Sequence, residues 1–88
     1  SPLSELARIE LAEIEYDLDQ PDAARATYEQ LAHQFPDTPY GVYAWALLEL
    51  DLHGPKATRL LHQLRQKELD PRLAKRVDER LRTMEIAP

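Results

Sequence analysis

The chain has 88 residues, of which 43% are apolar and 31% charged, with seven prolines, two glycines and no cysteine. This size allows a single domain near the lower limit for a self-sufficient core, and the balance of apolar and charged residues excludes a disordered chain. Without cysteine there is no disulfide and no thiolate metal site, and the net charge of −5 hides a polarity, since residues 1–53 carry −9 and residues 54–88 carry +4.

No apolar run approaches the roughly 20 residues needed to cross a bilayer, so no direct membrane insertion is expected. The opening Ser1-Pro2-Leu3-Ser4 leads straight into an amphipathic pattern. It has no signal-peptide core and reads as the start of an excised or processed piece. Five helices are expected, each announced by a proline, because proline is tolerated in the first helical turn and breaks what precedes it. The first runs from Pro2 to Leu18, with Leu3, Ala7, Leu11, Ile14 and Leu18 on one stripe and Leu6 and Ile9 widening it. The second runs from Pro21 to Gln34, with Ala24, Tyr28 and Leu31 inward. Thr38 and Pro39 then cap and start a third helix to Leu52, the most apolar. Val42, Trp45, Ala46 and Leu48 are assigned inward, with Tyr40, Tyr43, Leu47 and Leu50 on another side. His53-Gly54-Pro55 starts the fourth, to Gln66, with Ala57, Leu60, Leu61 and Leu64 inward. Asp70-Pro71 starts the fifth, whose only apolar stripe is Leu73, Val77, Leu81 and Met84. A one-sided last helix can seal the end of a stack.

The elements repeat. Leu11-Ala12 returns as Trp45-Ala46, 34 residues on; Ala24, Tyr28 and Leu31 return as Ala57, Leu61 and Leu64, 33 on; Pro36 returns as Pro71, 35 on. Small residues at 12, 24, 46 and 57 permit close helix approach, and large ones at 28, 31, 61 and 64 fill the space between hairpins. In these positions the chain resembles the tetratricopeptide repeat family, whose pattern is W-x2-L-G-x2-Y, A-x3-F, P. The resemblance covers about residues 5–71. It departs at Arg8, Glu15 and Glu49, where the family usually has apolar or aromatic residues. It implies an all-α fold, a right-handed superhelix of two hairpins (about 5–38 and 39–71) and a capping helix (71–84). The segment YEQLAHQFPDTPYGVYAWALL, Tyr28–Leu48, also resembles repeat proteins of the bacterial envelope, of the outer-membrane assembly lipoprotein and Tol-Pal-associated types. The compartment stays open between envelope or periplasm and cytoplasm.

By that resemblance the concave face comprises Leu6, Ile9, Glu13 and Tyr16 from the first unit and Tyr40, Tyr43, Leu47 and Leu50 from the second. The functional expectation is a groove for a peptide or partner helix, with Tyr16, Tyr40 and Tyr43 as anchors. The alternative, given more weight, is that these residues pack on a neighbouring repeat, another domain or a second copy. A clamp for a terminal carboxylate, as in chaperone-binding members of the family, is argued against. The chain has no Asn, and the matching positions are Ile9, Glu13, Tyr43 and Leu47, which supply an acid and largely apolar groups in place of the Lys, Arg and Asn donors a carboxylate needs.

The basic residues Arg72, Lys75, Arg76 and Arg80 invite a nucleic-acid reading, but the sequence pI is about 5.1, Asp78 and Glu79 interrupt them, and that half has no aromatic residue to stack bases. A solvated face is expected instead. Acidic residues of the first helix (Glu5, Glu10, Glu13, Glu15, Asp17) and basic residues of the last are expected to meet between copies, head to tail, or to meet neighbours in a longer chain. His33, His53 and His62 lack metal-ligand spacing. The only serines are Ser1 and Ser4, so no nucleophilic constellation forms, and two glycines cannot build a phosphate loop. The expectation is a protein–protein interaction scaffold or adaptor with no catalysis, metal or cofactor. The alternative is a structural or oligomerisation segment. Two repeats are few for independent stability, so the chain is expected to rely on its cap, to dimerise or to belong to a longer array.

Overall fold

The structure is a computed structural model that describes residues 2–50 and 54–86. The described residues form five α-helices: α1 (Pro2–Asp17), α2 (Pro21–Gln34), α3 (Pro39–Leu50), α4 (Gly54–Arg65) and α5 (Pro71–Ile86). Proline occupies the first or second position of every one, as its fixed φ and missing N–H favour. The expected ends shift by a residue or two. Ser1, Leu52 and His53 lie outside the described residues.

The helices pack in sequence as antiparallel pairs, α1 on α2, α2 on α3, α3 on α4 and, more lightly, α4 on α5, while α1 also reaches α3. The radius of gyration of 12.1 Å is about that of a compact 88-residue domain. One core runs through all five helices, built from Leu6 and Ile9, Tyr28 and Leu31, Tyr40 and Tyr43, Leu61 and Leu64, and Leu73, Val77 and Leu81. Ala12, Ala24, Ala46 and Ala57 are fully buried, and their small side chains let the helix axes approach.

The helix junctions are locally satisfied. At the end of α1 the N–H of Gln20 bonds to the Glu15 carbonyl (2.8 Å) and that of Asp19 to the Tyr16 carbonyl (3.1 Å). This is a Schellman closure, with Asp19 in the left-handed position at φ 60°. Thr38 caps α3, its Oγ1 accepting from the Gly41 N–H at 3.1 Å and donating to the buried Glu5 carboxylate at 2.5 Å. Asp70 caps α5, its Oδ1 accepting from the N–H groups of Arg72 (2.9 Å) and Leu73 (3.2 Å).

Two expected orientations are corrected. On α1 the buried face is Glu5, Leu6, Ile9 and Ala12, while Leu3, Leu11, Ile14 and Leu18 of the expected apolar stripe, which Leu6 and Ile9 only widen, are exposed at 62%, 48%, 54% and 64%. The helix is apolar on two opposite sides, and periodicity alone does not choose between them. Ala12 decides it sterically, because Leu11 in its place would hold α2 away. Polar pairing decides it too, since this orientation lets Thr38 bond Glu5 and Thr27 bond Glu15 at 2.6 Å. On α3, Trp45 was assigned inward and is 41% exposed. Its indole N–H donates to Glu49 at 3.1 Å, and the Lys56 ammonium sits 5.0 Å from the ring centroid, a cation–π arrangement that suits a half-exposed ring.

Candidate functional site

The structure turns most of the expected concave groove into core. Leu6, Ile9 and Leu47 are buried, and Tyr40 and Tyr43 retain only 3% and 2% exposure. Leu50 and Glu13 are half-buried and Tyr16 is exposed. The expectation of three exposed tyrosine anchors is therefore corrected: of the three, only Tyr16 is open to solvent. The reason is the chain's own last helix. Leu73, Val77 and Leu81 of α5 join the core, and Arg76 reaches across to α1. Its Nε and Nη2 donate to the two Glu13 carboxylate oxygens at 3.0 and 3.1 Å, spanning 63 residues of sequence.

That bidentate pair takes Arg76 out of the expected solvated basic face, and it adds a contact within one chain to the expected meetings of the charged ends between copies or with neighbours in a longer chain. Glu13 and Arg76 meet within one chain. Both are partly exposed, so the pair contributes about 0.5–1 kcal/mol rather than the value of a buried bridge. Its larger effect is geometric, because it ties the first helix to the last over Tyr43.

The electrostatics follow from this closure. Burial, with the neighbouring Tyr43 and Glu13, pushes the Tyr28 hydroxyl well above the ordinary phenol value. Burial likewise raises Tyr43, against the opposing pull of Arg80 beside it. Tyr40 is pushed up to about 12 by burial and by the Asp70 carboxylate. Its buried hydroxyl lies near Asp70 without ordinary hydrogen-bond geometry. The Glu13 hydrogen bonds, outweighing partial desolvation, hold Arg76 above its ordinary value. All these shifts keep the groups in their neutral-pH forms. Glu13, Tyr16, Asp17, Tyr28, Leu47 and Arg80 help line a remaining cavity of about 380 Å³ at the open end of the groove. Among the described residues no group of three or more His, Asp or Glu is placed to hold a metal ion, and no helix is long and apolar enough to cross a membrane.

The residues that depart from the repeat pattern make polar links between helices. Arg8 bonds Gln34 of α2 and lies 5.7 Å from the Phe35 ring centroid. Glu15 accepts from Thr27, and Glu49 accepts from Trp45 and pairs with Lys56 of α4 at 3.7 Å.

What the sequence reading missed is an exposed apolar stripe. Leu3, Ala7, Leu11, Ile14 and Leu18 follow one another along the outer side of α1 and its last turn, all exposed. Glu10 and Asp17, also exposed, flank it on one edge. The residues themselves were legible as a stripe, but its direction was not. The 34-residue period held a usable signal, because Leu6, Ile9 and Ala12 match Tyr40, Tyr43 and Ala46, and both sets are buried.

Comparison with known proteins found no matching family model, no matching curated protein and no matching solved structure. What the fold itself defines is an all-α domain of sequential helical hairpins closed at one end by its last helix.

Proposed function

We propose that the protein is a tetratricopeptide-like interaction module, a scaffold or adaptor that recognises a partner helix and performs no chemistry of its own. The observation that carries this reading is the exposed stripe Leu3–Ala7–Leu11–Ile14–Leu18. Exposed leucines are ordinary when scattered, but aligned over more than four turns they form a contiguous apolar patch of the kind that marks interaction sites. The repeat assignment is supported by burial that recurs at the same register, Leu6 with Tyr40, Ile9 with Tyr43 and Ala12 with Ala46. The absence of chemistry is supported by tyrosines shifted away from neutrality and by carboxylates engaged in capping and helix pairing.

The test is a titration of the labelled domain with amphipathic helical peptides, followed by amide chemical-shift changes. Changes confined to residues 3–18 on the outer side of α1 are expected. Changes confined to the cavity around Tyr16 and Arg80 would move the site to the groove, and no change with any apolar helix would overturn the reading.

A further inference from the structure

We infer that the occupant of the α1 stripe is an amphipathic helix whose apolar face is edged by Lys or Arg; this rests on the reading of α1 as a docking face. The internal repeat supplies the geometry. Thirty-four residues on from Ala7, Glu10 and Ile14 stand Gly41, Ala44 and Leu48 of α3. Gly41 and Ala44 are buried and Leu48 is half-buried, because α2 lies across that side of α3. The turn that ends α2 comes close as well: a β-carbon on Gly41 would fall 1.6 Å from the carbonyl oxygen of Phe35, the residue that caps α2. The corresponding side of α1 repeats the small and aliphatic positions, Ala7 for Gly41 and Ile14 for Leu48, and among the described residues no helix lies on it, so it continues an interface the fold already uses between α2 and α3.

The charge differs between the two faces, and that difference selects the occupant. Where α3 has the fully buried Ala44, α1 has exposed Glu10, with exposed Asp17 two turns further along the same edge. A helix seated on α1 as α2 is seated on α3 brings its flank against both carboxylates. Basic residues there gain charge-assisted contacts, and acidic ones are repelled. A second copy fits badly. Pairing α1 with α1 brings the Glu10 and Asp17 edges into a shared negative field. Among the described side chains the outer side of α5 is mostly charged, with Lys75, Asp78, Glu79 and Arg82 exposed and only the small Pro71 and Ala74 beside them. Arg76, the basic residue of α5 that reaches α1, is already held by Glu13.

The experiment uses three synthetic peptides matched to α1 in length: a Leu/Ala stripe edged by Lys, the same stripe edged by Glu, and a scramble of the Lys peptide. Binding is read by fluorescence anisotropy at low and high salt, and self-association by sedimentation. The Lys-edged helix is expected to bind about tenfold tighter than the Glu-edged one at low salt, with the gap narrowing as salt rises. The gap also narrows in the Glu10→Gln/Asp17→Asn double variant, the scramble does not bind, and Ile14→Lys abolishes binding. Because Ile14 is exposed, that variant keeps its helical circular dichroism; Leu11→Lys serves as the second probe of the stripe. Equal binding of both helices, or a gap that ignores the acidic substitutions, overturns the basic occupant and leaves the docking face standing. Failure of both helices to bind a monomeric chain overturns both. A dimer that Ile14→Lys dissociates replaces the basic helix with a second copy.

Discussion

The two end helices, α1 and α5, are each 16 residues long and finish the stack in opposite ways. Among its described side chains α5 has one apolar stripe, turned inward, and an outer side dominated by Lys75, Asp78, Glu79 and Arg82. α1 has two, and leaves one in water. Burying a Leu or Ile side chain stabilises a fold by about 1.5–3 kcal/mol relative to exposure, so α1 forgoes several kcal/mol that α5 secures. The contrast teaches that a helical stack is closed by what the outer side of its last helix lacks. A helix with no second apolar face has nothing to offer a further layer, whereas α1 retains the relief of an inner helix.

The largest effect that sharpens this contrast comes from truncating one aliphatic side chain on each end helix. Leu73 of α5 is 1% exposed and Ile14 of α1 is 54% exposed. Leu73→Ala is expected to cost about 2–4 kcal/mol in urea unfolding, as buried leucines do. Ile14→Ala should stay within about 0.5 kcal/mol. A cost for Ile14→Ala near that of Leu73→Ala would mean that the α1 stripe is covered in solution and would break the comparison.

The second effect sets Gly41 against its register partner Ala7. In an open helix Gly→Ala gains about 1 kcal/mol. At Gly41 the new β-carbon meets a backbone carbonyl that cannot rotate away, so Gly41→Ala is expected to destabilise by about 1–3 kcal/mol. Ala7→Gly has no packing to lose and should cost only the helix-propensity difference of about 0.5–1 kcal/mol. Thermal unfolding of the two variants checks the signs. Stabilisation by Gly41→Ala would mean that the α2–α3 turn does not press on the start of α3 as described.

Gly41 also shows how much was legible in advance. The helix boundaries were readable because each start carries a proline and most ends carry a polar turn, signals that act over a few residues. The alanines at 12, 24, 46 and 57 were readable as contact points because only small side chains fit there. The orientation of α1 was not, because a helix apolar on two sides satisfies periodicity either way. What decided it was Thr27 and Thr38, which give Glu15 and Glu5 their hydroxyl donors from 12 and 33 residues away. The burial of Tyr40 and Tyr43 depended in the same way on α5 folding back, with Arg76 reaching Glu13. Long-range polar pairs leave no periodic trace in sequence.

The caps extend the contrast to helix ends, first at the start of α5. Burial works against the ionised Asp70 carboxylate, but the approach of the Tyr40 hydroxyl and the N–H groups of Leu73 and Arg72 outweighs it, so the group sits below the ordinary carboxylate value. A depressed carboxylate contributes its full stability above the unfolded value of about 4 and loses it as pH falls through the lower folded value. Asp70→Ala should therefore cost about 1 kcal/mol at neutral pH. The gap to the parent chain should close as the solution is acidified below about pH 4. Denaturant midpoints across that range measure it. A gap that is independent of pH would remove the cap from the stability of α5.

The smallest effect lies at the end of α1. Asp19 holds the left-handed position that closes the helix, where any β-carbon is strained and glycine is not. Its charge is also misplaced, since the C-terminus of a helix carries partial negative charge. Asp19→Gly removes both penalties and adds only the chain entropy that glycine loses on folding. The strain relief and the dipole term together exceed that loss, so a net gain of about 0.5 kcal/mol is expected, with Asp19→Ala moving in the opposite direction. Because Asp19 is exposed and distant from the core, the gain should appear as a higher urea midpoint with an unchanged slope. A changed slope would mean that the closure governs how far α1 itself folds, so that its exposed stripe is held in place by one turn rather than by the packing of Ile9 and Ala12.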